Sequence, residues 1–449
     1  MLVVVETNPL LEKLKSEVKD SRLILIPIWK DPNQHPRNTK LSCLYFYLID
    51  HNKSYILPID HPEAIDFEVK SFKFLNNGKE KFVLDKKSFL FFKRIPGLID
   101  IDLVSYFNTN KPYDLENCFT SCHRYYYNRL YDFKDVNLII PILKHFEYCE
   151  NVRWIVLNDI VDWEPSETFN GYNNDIIESL SWVESNGLRV NTPQFVNRFG
   201  KDQNKHISRS TVYTRYNIYT TTGRPSNSFG GVNYAGLNKD DGSRIPFVSR
   251  FSNGLLVQYD YDAYHLQLIA NMVGYDFRGE NIHNHLAKLY FDTDNVTPEQ
   301  YKESKQVSFK LLYGGISRMY RTVPFFNKVN EYIDDLWDIY NKYGYVETPV
   351  YKKKLKREFF TDMNKNKLFN YVLQALETET NFNILSKVLK FLQDSKSKLV
   401  LYTYDSYLID FCLDDGRELL DTFKGLIEND GKLPTTISYG ANYSELREL

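Results

Sequence analysis

The chain has 449 residues, enough for about two to four domains and a sizeable core. Hydrophobic residues make up 43% and charged residues 25% of the sequence, which indicates a folded globular protein and excludes a disordered one. The formal net charge of -2 excludes a uniformly basic nucleic-acid binder but leaves room for local basic clefts.

Targeting and redox signals are weak. No apolar run reaches the roughly 18 to 20 residues that a membrane-spanning helix needs, and the N-terminal segment lacks the basic region and long apolar stretch of a secretion signal. The five cysteines are odd in number and scattered, which favours reduced thiols over a disulfide framework. We therefore predict a cytoplasmic protein with no membrane partner.

The first part of the chain, residues 1–157, alternates apolar runs such as RLILIPI and LSCLYFYLID with polar turns, and then has longer helix-like segments. This pattern predicts a mixed α/β module. The polar stretch NDIVDWEPSETFNGYNND, residues 158–175, contains Pro and Gly and predicts a linker. The next segment, DIIESLSWVESNGLRVN, has apolar residues at helical spacing and a glycine where the helix should end.

The clearest helix signals lie in VTPEQYKESKQVSFKLLYGGIS, residues 296–317. Thr297 is placed to be the N-cap, Pro298 follows at the first helical position, and paired glycines come at the far end. These signals predict one helix between the cap and the glycines.

One face of this helix carries a pattern that suits a nucleotide. Lys305, Phe309 and Tyr313 recur every four residues and so share a face. An ammonium one turn before an aromatic ring can hold a triphosphate while the ring stacks on a base or sugar. The alternative is a surface lysine above two core aromatics.

Two aspartates each follow an apolar, strand-like run. Asp260 comes after GLLVQY, and Asp405 lies between LVLYTY and YLIDF, which flank it like the arms of a hairpin. Two carboxylates at adjacent strand ends form a site for hard divalent cations, which prefer oxygen ligands. Such a pair of metals can activate an attacking hydroxyl and stabilise a leaving phosphate.

Seven motifs, in this order, make the chain resemble the family A DNA polymerases, those of the bacterial DNA polymerase I type. They lie at compatible separations across roughly residues 175–449, and their order carries the resemblance because each is weak alone. The motifs are TTTGRPSN (220–227), YDYDAYHLQLIA (259–270), ENIHNHLA (280–287), EQYKESKQVSFKLLYGG (299–315), GYVET (344–348), NYVLQ (370–374) and YTYDSYLIDF (402–411).

The resemblance implies an α+β, right-hand polymerase fold: a palm with an antiparallel sheet, helical fingers and a much reduced thumb, preceded by a degenerate RNase H-like exonuclease α/β domain. The implied domains are a degenerate 3′–5′ exonuclease-like domain (1–157), linker and reduced thumb (158–222), the first part of the palm (223–272), fingers (273–360) and the second part of the palm (361–449).

The resemblance also implies catalytic roles. Asp260 and Asp405 would be the two metal-binding aspartates of the palm, with the main-chain carbonyl of Tyr261 as a third ligand. Together they would hold two Mg²⁺ ions, with Mn²⁺ as an alternative. Lys305 would hold the triphosphate and assist the pyrophosphate leaving group.

Other positions match the family's nucleotide-binding side chains. His283 would approach the phosphates, Phe309 would stack on the sugar and base, and Tyr313 would lie beside the template at the base of the fingers helix.

Three residues match side chains that contact DNA. Arg224 would reach the minor groove at the primer end, where Asn370 and Gln374 would also read the groove. Minor-groove acceptors are shared by A·T and G·C pairs, so such contacts test pair geometry without reading sequence.

The chain departs from the family at several site positions. His265 stands where the family has a glutamate that screens the 2′ side of the sugar, which puts discrimination against ribonucleotides in doubt. The family's acid after the second aspartate is Ser406, and the histidine before it is Tyr404. Tyr301 replaces a triphosphate-binding arginine, with Lys302 as the expected substitute.

Two larger departures concern whole modules. Only about 30 residues separate ESNGLRVN from TGRPSN, where family members have a long helical hairpin that grips the duplex. We therefore expect low processivity, or a processivity or replication partner protein that supplies the missing clamp. The family's first exonuclease strand carries two acids, but LIPIWK here has none, so we expect no proofreading. Tyr131 and Asp135 echo a later exonuclease motif without partners.

The predicted function is template-directed addition of deoxynucleoside triphosphates to the primer 3′ end of primer-template DNA by two-metal phosphoryl transfer. The alternative is a catalytically weak, polymerase-like protein that binds primer-template DNA, and a third interpretation, a metal nuclease, leaves the lysine helix unexplained. The compact layout and AT-biased composition would suit a phage, in which case the protein would act in the host cytoplasm.

Overall fold

A computed structural model describes residues 2–113, 140–429 and 431–449 of the chain. The motif residues Tyr131 and Asp135 lie outside this part. Two compact units can be distinguished, and each collects segments that are separate in the sequence. The first unit comprises Met1–Leu188, Phe195–Tyr219 and Ser228–Val232, and the second comprises Arg189–Gln194, Thr220–Asn227 and Asn233–Leu449.

A mixed sheet lies at the centre of the first unit, with six strands among the described residues in the order β1-β4-β3-β2-β5-β6. All eight residues of its strand LSCLYFYL are buried, because a central strand is covered on both faces. The predicted α/β module is confirmed here, including an antiparallel pair made by this strand and the next. The strands are β1 (Leu2–Val4), β2 (Leu23–Trp29), β3 (Leu41–Leu48), β4 (Lys53–Pro58), β5 (Lys81–Val83) and β6 (Leu98–Asp100).

Helices of the first unit correct one prediction. The stretch 158–175 is mostly helical rather than a linker, because its Pro165 and Ser166 separate two helices, and Ser166 caps the second by accepting from the Phe169 amide. The glycine predicted to end the following helix, Gly187, does so with a positive φ of 59°. The helices are α1 (Asn8–Val18), α2 (Lys86–Phe92), α3 (Ile101–Thr109), α4 (Ile142–Ile160), α5 (Glu167–Asn170), a π-helical turn (Gly171–Ile176) and α6 (Ile177–Asn186).

Residues 188–227, where the thumb is expected to be reduced, contain short elements. No helix in this stretch is longer than 8 residues. The elements are β7 (Leu188–Arg189), α7 (Thr192–Phe199), β8 (Thr211–Val212), β9 (Tyr216–Asn217) and β10 (Ser226–Asn227).

An antiparallel sheet in the order β14-β15-β11-β16-β17 forms the centre of the second unit as the structure describes it. The run GLLVQYDY is its middle strand, which explains the continuous burial of its central residues. The strands of this unit are β11 (Gly254–Tyr261), β12 (Tyr345–Glu347), β13 (Lys354–Lys356), β14 (Lys398–Tyr402), β15 (Ser406–Cys412), β16 (Thr435–Gly440) and β17 (Arg447–Glu448).

Helices of the second unit include the one predicted from its caps. Thr297 and Gln300 form a reciprocal capping box at its start, and Gly315 ends it at a φ of 101°. Across the described ranges, no helix is both long and apolar enough to span a bilayer. The helices are α8 (Tyr264–Val273), α9 (Ile282–Phe291), α10 (Pro298–Gly314), α11 (Pro324–Tyr343), α12 (Lys365–Phe391) and α13 (Gly416–Glu428).

Candidate active site

The two predicted metal-binding aspartates lie on neighbouring strands. Asp260 is the second-to-last residue of β11 and pairs with Ser406, the first residue of β15. Asp405 occupies the turn that joins β14 to β15, and its carbonyl accepts a hydrogen bond from the Tyr261 amide at 2.9 Å. The antiparallel register therefore brings together two acids that are far apart in the sequence.

The alternation of side chains along β11 explains the tyrosines around Asp260. Tyr259 and Tyr261 donate their hydroxyls to main-chain carbonyls of α13, at 3.0 Å and 2.9 Å. Because successive side chains of a strand point to opposite faces, Asp260 is directed away from α13. The tyrosines hold the strand against the helix, and the acid faces a cavity.

Electrostatics make the aspartate pair, Asp260 and Asp405, receptive to cations. Burial and the charge of Asp405 raise the pKa of Asp260 to about 6. Asp405 is exposed at its turn, but the protein atoms around its carboxyl and the negative charge of Glu377 raise its pKa as well. In the part of the chain that is described, no side chain donates a hydrogen bond to the Asp260 carboxylate.

The donor set limits which metal site could form. Among the described residues, no group of three or more His, Cys, Asp or Glu side chains could hold a metal ion. The aspartate pair instead offers two carboxylates, and that of Asp260 lines the cavity together with Tyr261, whose main-chain carbonyl is the predicted third ligand. Hard oxygen donors of this kind suit Mg²⁺ or Mn²⁺.

The cavity has a volume of about 760 Å³ and is bordered by both the sheet and the helices. His283 from α9 and Lys305 from α10 face it, and burial together with the charge of Lys305 lowers the pKa of His283 to about 4. His283 is therefore neutral near pH 7 and offers a hydrogen bond rather than a charge. Lys239 and Arg244 add positive charge to the lining.

The expected role of Lys302 does not fit its position. Tyr301 lines the cavity with Lys305, whereas Lys302 is exposed and is not part of the lining. Successive residues of a helix are about 100° apart, so the neighbour of Tyr301 points elsewhere. Lys302 therefore does not border the cavity, and its role as the substitute for the missing arginine stays a prediction.

The rings on α10 are arranged as the four-residue spacing predicts. Phe309 and Tyr313 stack with their ring centres 6.1 Å apart and their planes 3° apart. His283 contacts Phe309 at 6.0 Å between ring centres. Tyr313 keeps 40% of its surface exposed, so this stack is an open platform and not a core pair.

The predicted DNA-contacting residues are linked to the same site. Asn370 donates from its Nδ2 to the Tyr313 carbonyl at 3.0 Å, and the Gln374 Oε1 accepts from the Thr222 hydroxyl at 3.2 Å. Arg224 lies over the ring of Tyr404 at 4.1 Å. These contacts place the three residues around α12 and the turn before β15.

Comparisons with known proteins bear on the fold of the chain. No family model matches the chain. DNA polymerase I of Synechocystis sp. is 26% identical over 178 residues, which are 37% of this chain and 18% of that protein. The chain therefore matches less than a fifth of that relative's length. The POL domain of Pol1 from M. smegmatis, solved in complex with DNA primer-template and dNTP, matches at 14% identity and a TM-score of 0.72, covering 99% of both chains.

The chain has the fold of a DNA polymerase I polymerase domain. The predicted α+β right-hand polymerase fold is thereby confirmed. Ser406, in place of the family's acid, is a buried part of this fold: its hydroxyl accepts a hydrogen bond from Gln258 Nε2 at 3.1 Å. Ser406 therefore adds no charge to the aspartate pair.

Glu377 was not singled out from the sequence, but it contacts two residues of the candidate active site. Glu377 on α12 is 1% exposed, and its carboxylate lies 2.8 Å from Arg224 Nε and 3.2 Å from His265 Nε2. It belongs to no motif, and in the mixed polar and apolar run VLQALETETNF nothing distinguishes it from the neighbouring Glu379.

Proposed function

We propose that the chain is a DNA-directed DNA polymerase that adds deoxynucleotides to a primer 3′ end by two-metal phosphoryl transfer. The observation that carries this proposal is the meeting of Asp260 and Asp405 across β11 and β15, on the sheet beside the helix that bears Lys305 and the stacked rings. The seven ordered motifs and the polymerase fold support it.

The aspartate pair fits a divalent metal site. Burial, and after it the charge of a neighbouring carboxylate, raises the pKa of each carboxyl, and a bound cation would offset both effects. Asp260, Asp405 and the Tyr261 carbonyl would hold two Mg²⁺ or Mn²⁺ ions. When bound, such ions activate the attacking hydroxyl and neutralise charge on the leaving phosphate.

The remaining side chains would bind and orient the nucleotide. Lys305 supplies a fixed positive charge for the triphosphate, and neutral His283 supplies a hydrogen bond beside it. Phe309 and Tyr313 offer the stacking surface. Lys239 and Arg244, on the cavity lining, add charge for the phosphates where Tyr301 replaces an arginine.

Primer-template DNA would be recognised beside the end of α10, where Asn370 contacts the Tyr313 carbonyl. Arg224, Asn370 and Gln374 carry the donors and acceptors that minor-groove edges require, independent of sequence. Positioning of the primer end by these residues would align its hydroxyl with the aspartate pair.

We further propose that the N-terminal unit does not proofread. Strand β2 carries no acid, and Asp85 is engaged by Arg215 at 3.1 Å and by the Ser88 hydroxyl at 2.6 Å. A carboxylate neutralised in this way is a poor metal ligand because the cation would have to displace the guanidinium.

Low processivity is also proposed, with a partner protein as the alternative source of a clamp. The short elements of residues 188–227 offer few phosphate contacts to a duplex. In extension on a long template with excess unlabelled trap DNA, we expect short products that shorten further as salt rises. Products of hundreds of nucleotides would contradict this part of the proposal.

A primer-extension gel tests the central proposal. We expect the wild-type protein to elongate a labelled primer with Mg²⁺ and deoxynucleotides, and the Asp405→Asn variant to retard the primer without elongating it. If the wild-type protein retards the primer but leaves it unchanged, the chain is a primer-template binding protein. Shortening of the primer would instead indicate a metal nuclease.

A further inference from the structure

Glu377 is the place where two halves of the candidate site meet. Its side chain is buried on α12, and its carboxylate accepts a hydrogen bond from Arg224 Nη2 at 3.2 Å while Nε of the same guanidinium lies 2.8 Å from the other oxygen. His265, from α8, presents Nε2 to this carboxylate at 3.2 Å. One acid therefore contacts two site residues from distant parts of the sequence.

The contact with His265 extends to Tyr313. The other ring nitrogen, Nδ1, is hydrogen-bonded to the Tyr313 hydroxyl. Because a carboxylate can only accept, Glu377 favours a proton on Nε2, which leaves Nδ1 to accept the hydroxyl proton. The orientation of Tyr313 at the end of α10 thus depends, through His265, on the charge of Glu377.

A second buried glutamate on the same helix shows what a structural role looks like. Glu379 is also buried, but its carboxylate accepts from the main-chain amides of Val350 and Tyr351 at 3.0 Å and 2.9 Å. These two donors belong to the backbone of one turn. Glu377 is instead directed at side chains that line the site, and its charge contributes to the raised pKa of Asp405.

We propose that Glu377 is a positioning residue that couples nucleotide binding to the primer end, by holding the His265–Tyr313 pair with one oxygen and Arg224 with both. The proposal rests on the proposed polymerase function for the identity of the two ligands. If the nucleotide moves the His265–Tyr313 pair, the Glu377 carboxylate shifts relative to Arg224, and a shift of Arg224 at the primer end acts on the pair in the same way. The nucleotide and the primer-template should therefore each bind better when the other is already in place.

Equilibrium binding of the full chain tests the coupling without requiring turnover. The dissociation constant of a deoxynucleoside triphosphate is measured with and without primer-template DNA, in Ca²⁺ to prevent extension. We expect Glu377→Gln to weaken nucleotide binding to the DNA complex by about tenfold and to remove most of the enhancement that DNA gives. Glu379→Gln is the matched control for loss of a buried charge, and should retain the enhancement.

Double variants separate coupling from general damage. Adding His265→Ala to Glu377→Gln should give no further loss of nucleotide affinity, and adding Arg224→Ala should give no further loss of primer-template affinity. Additive losses, or an equal loss in Glu379→Gln, would overturn the proposal.

Nitrogen NMR of labelled histidine supplies a readout that a merely structural role would not move. The His265 ring nitrogens should change resonance in Glu377→Gln and keep their positions in Glu379→Gln, and unchanged His265 signals in both would also overturn it. Failure of the wild type to extend a primer would refute the proposed function and leave these measurements valid.

Discussion

The aspartate pair at the five-stranded sheet and Asp85 of the N-terminal unit have opposite surroundings. Asp260 and Asp405 repel one another, and both have a raised pKa. In the N-terminal unit, burial would raise the pKa of Asp85, but Arg215, Lys87 and Ser88 outweigh it and the pKa is lowered. The charge of Asp85 is therefore offset by its protein partners, whereas the charges of the aspartate pair are not.

Asp100, a second acid of the N-terminal unit, is also held by hydrogen bonds from protein groups. It accepts hydrogen bonds from the amides of Leu103 and Lys86 and from the Tyr219 hydroxyl. Burial and the charge of Asp85 still raise its pKa to about 6. A raised pKa alone is therefore not evidence of a metal site; the informative difference is that, within the described ranges, no side chain donates a hydrogen bond to the Asp260 carboxylate.

The largest difference in activity should appear between two variants, each of which replaces one acid, the first in the aspartate pair and the second in the N-terminal unit. Asp260→Asn should lower the rate of primer extension by about a thousandfold or more, because the proposed metal site loses a charged ligand. Asp85→Asn should leave the rate within about twofold, since that carboxylate is held by Arg215 and the Ser88 hydroxyl in the N-terminal unit. Single-turnover extension in Mg²⁺ measures both.

A separate nuclease assay tests the N-terminal unit. If Asp85→Asn slowed the removal of a 3′-labelled nucleotide in the absence of deoxynucleotides, that unit would be a nuclease and the contrast between the regions would fail. We expect no such removal in the wild type above the level of a protein-free reaction.

A smaller effect should separate two lysines of α10. Lys305 borders the cavity and Lys302 does not. Lys305→Ala should lower kcat/KM for deoxynucleotides by about a hundredfold, and Lys302→Ala by no more than about twofold. Equal losses in the two variants would show that the triphosphate approaches a different face of α10.

Much of the site was predictable because its signals are local. Three of these signals depend on backbone geometry within a few residues. They are the cap at Thr297, the four-residue spacing of Lys305, Phe309 and Tyr313, and the apolar arms around Asp405. The order of the motifs then supplied the fold. Strand pairing of Asp260 with Ser406 followed from that fold and not from either segment alone.

The residues that sequence reasoning missed or misplaced depend on tertiary contacts. Glu377 is defined by Arg224 and His265, neither of which is near it in the sequence. Lys302 was chosen for its charge, but the helical rotation of one residue directs it away from the cavity. Pro165 lies in the break between two helices and Gly171 begins a π-helical turn, and in sequence both look the same as the Pro and Gly of a linker.

The smallest effect concerns stability, and its sign should differ between the two regions. The pKa of Asp260 is about 6 in the folded protein, against 3.8 for an ordinary aspartate. Between these values the folded state binds more protons than the unfolded state, so the free energy of unfolding of the metal-free protein falls as pH rises from about 4 to about 6. Above that window the charged carboxylate is a constant cost.

Asp260→Asn should therefore stabilise the metal-free protein at pH 7.5 by roughly 1–2 kcal/mol, after allowance for the partial exposure of this carboxyl. The gain should vanish at about pH 4 and shrink when Mg²⁺ is added, because the metal stabilises the wild type alone. Asp85→Asn should destabilise at the same pH, since its pKa is lowered and its contribution is lost only in acid. Urea unfolding at the two pH values measures both signs, and a destabilising Asp260→Asn would mean that the protein itself already compensates the charge of the aspartate pair.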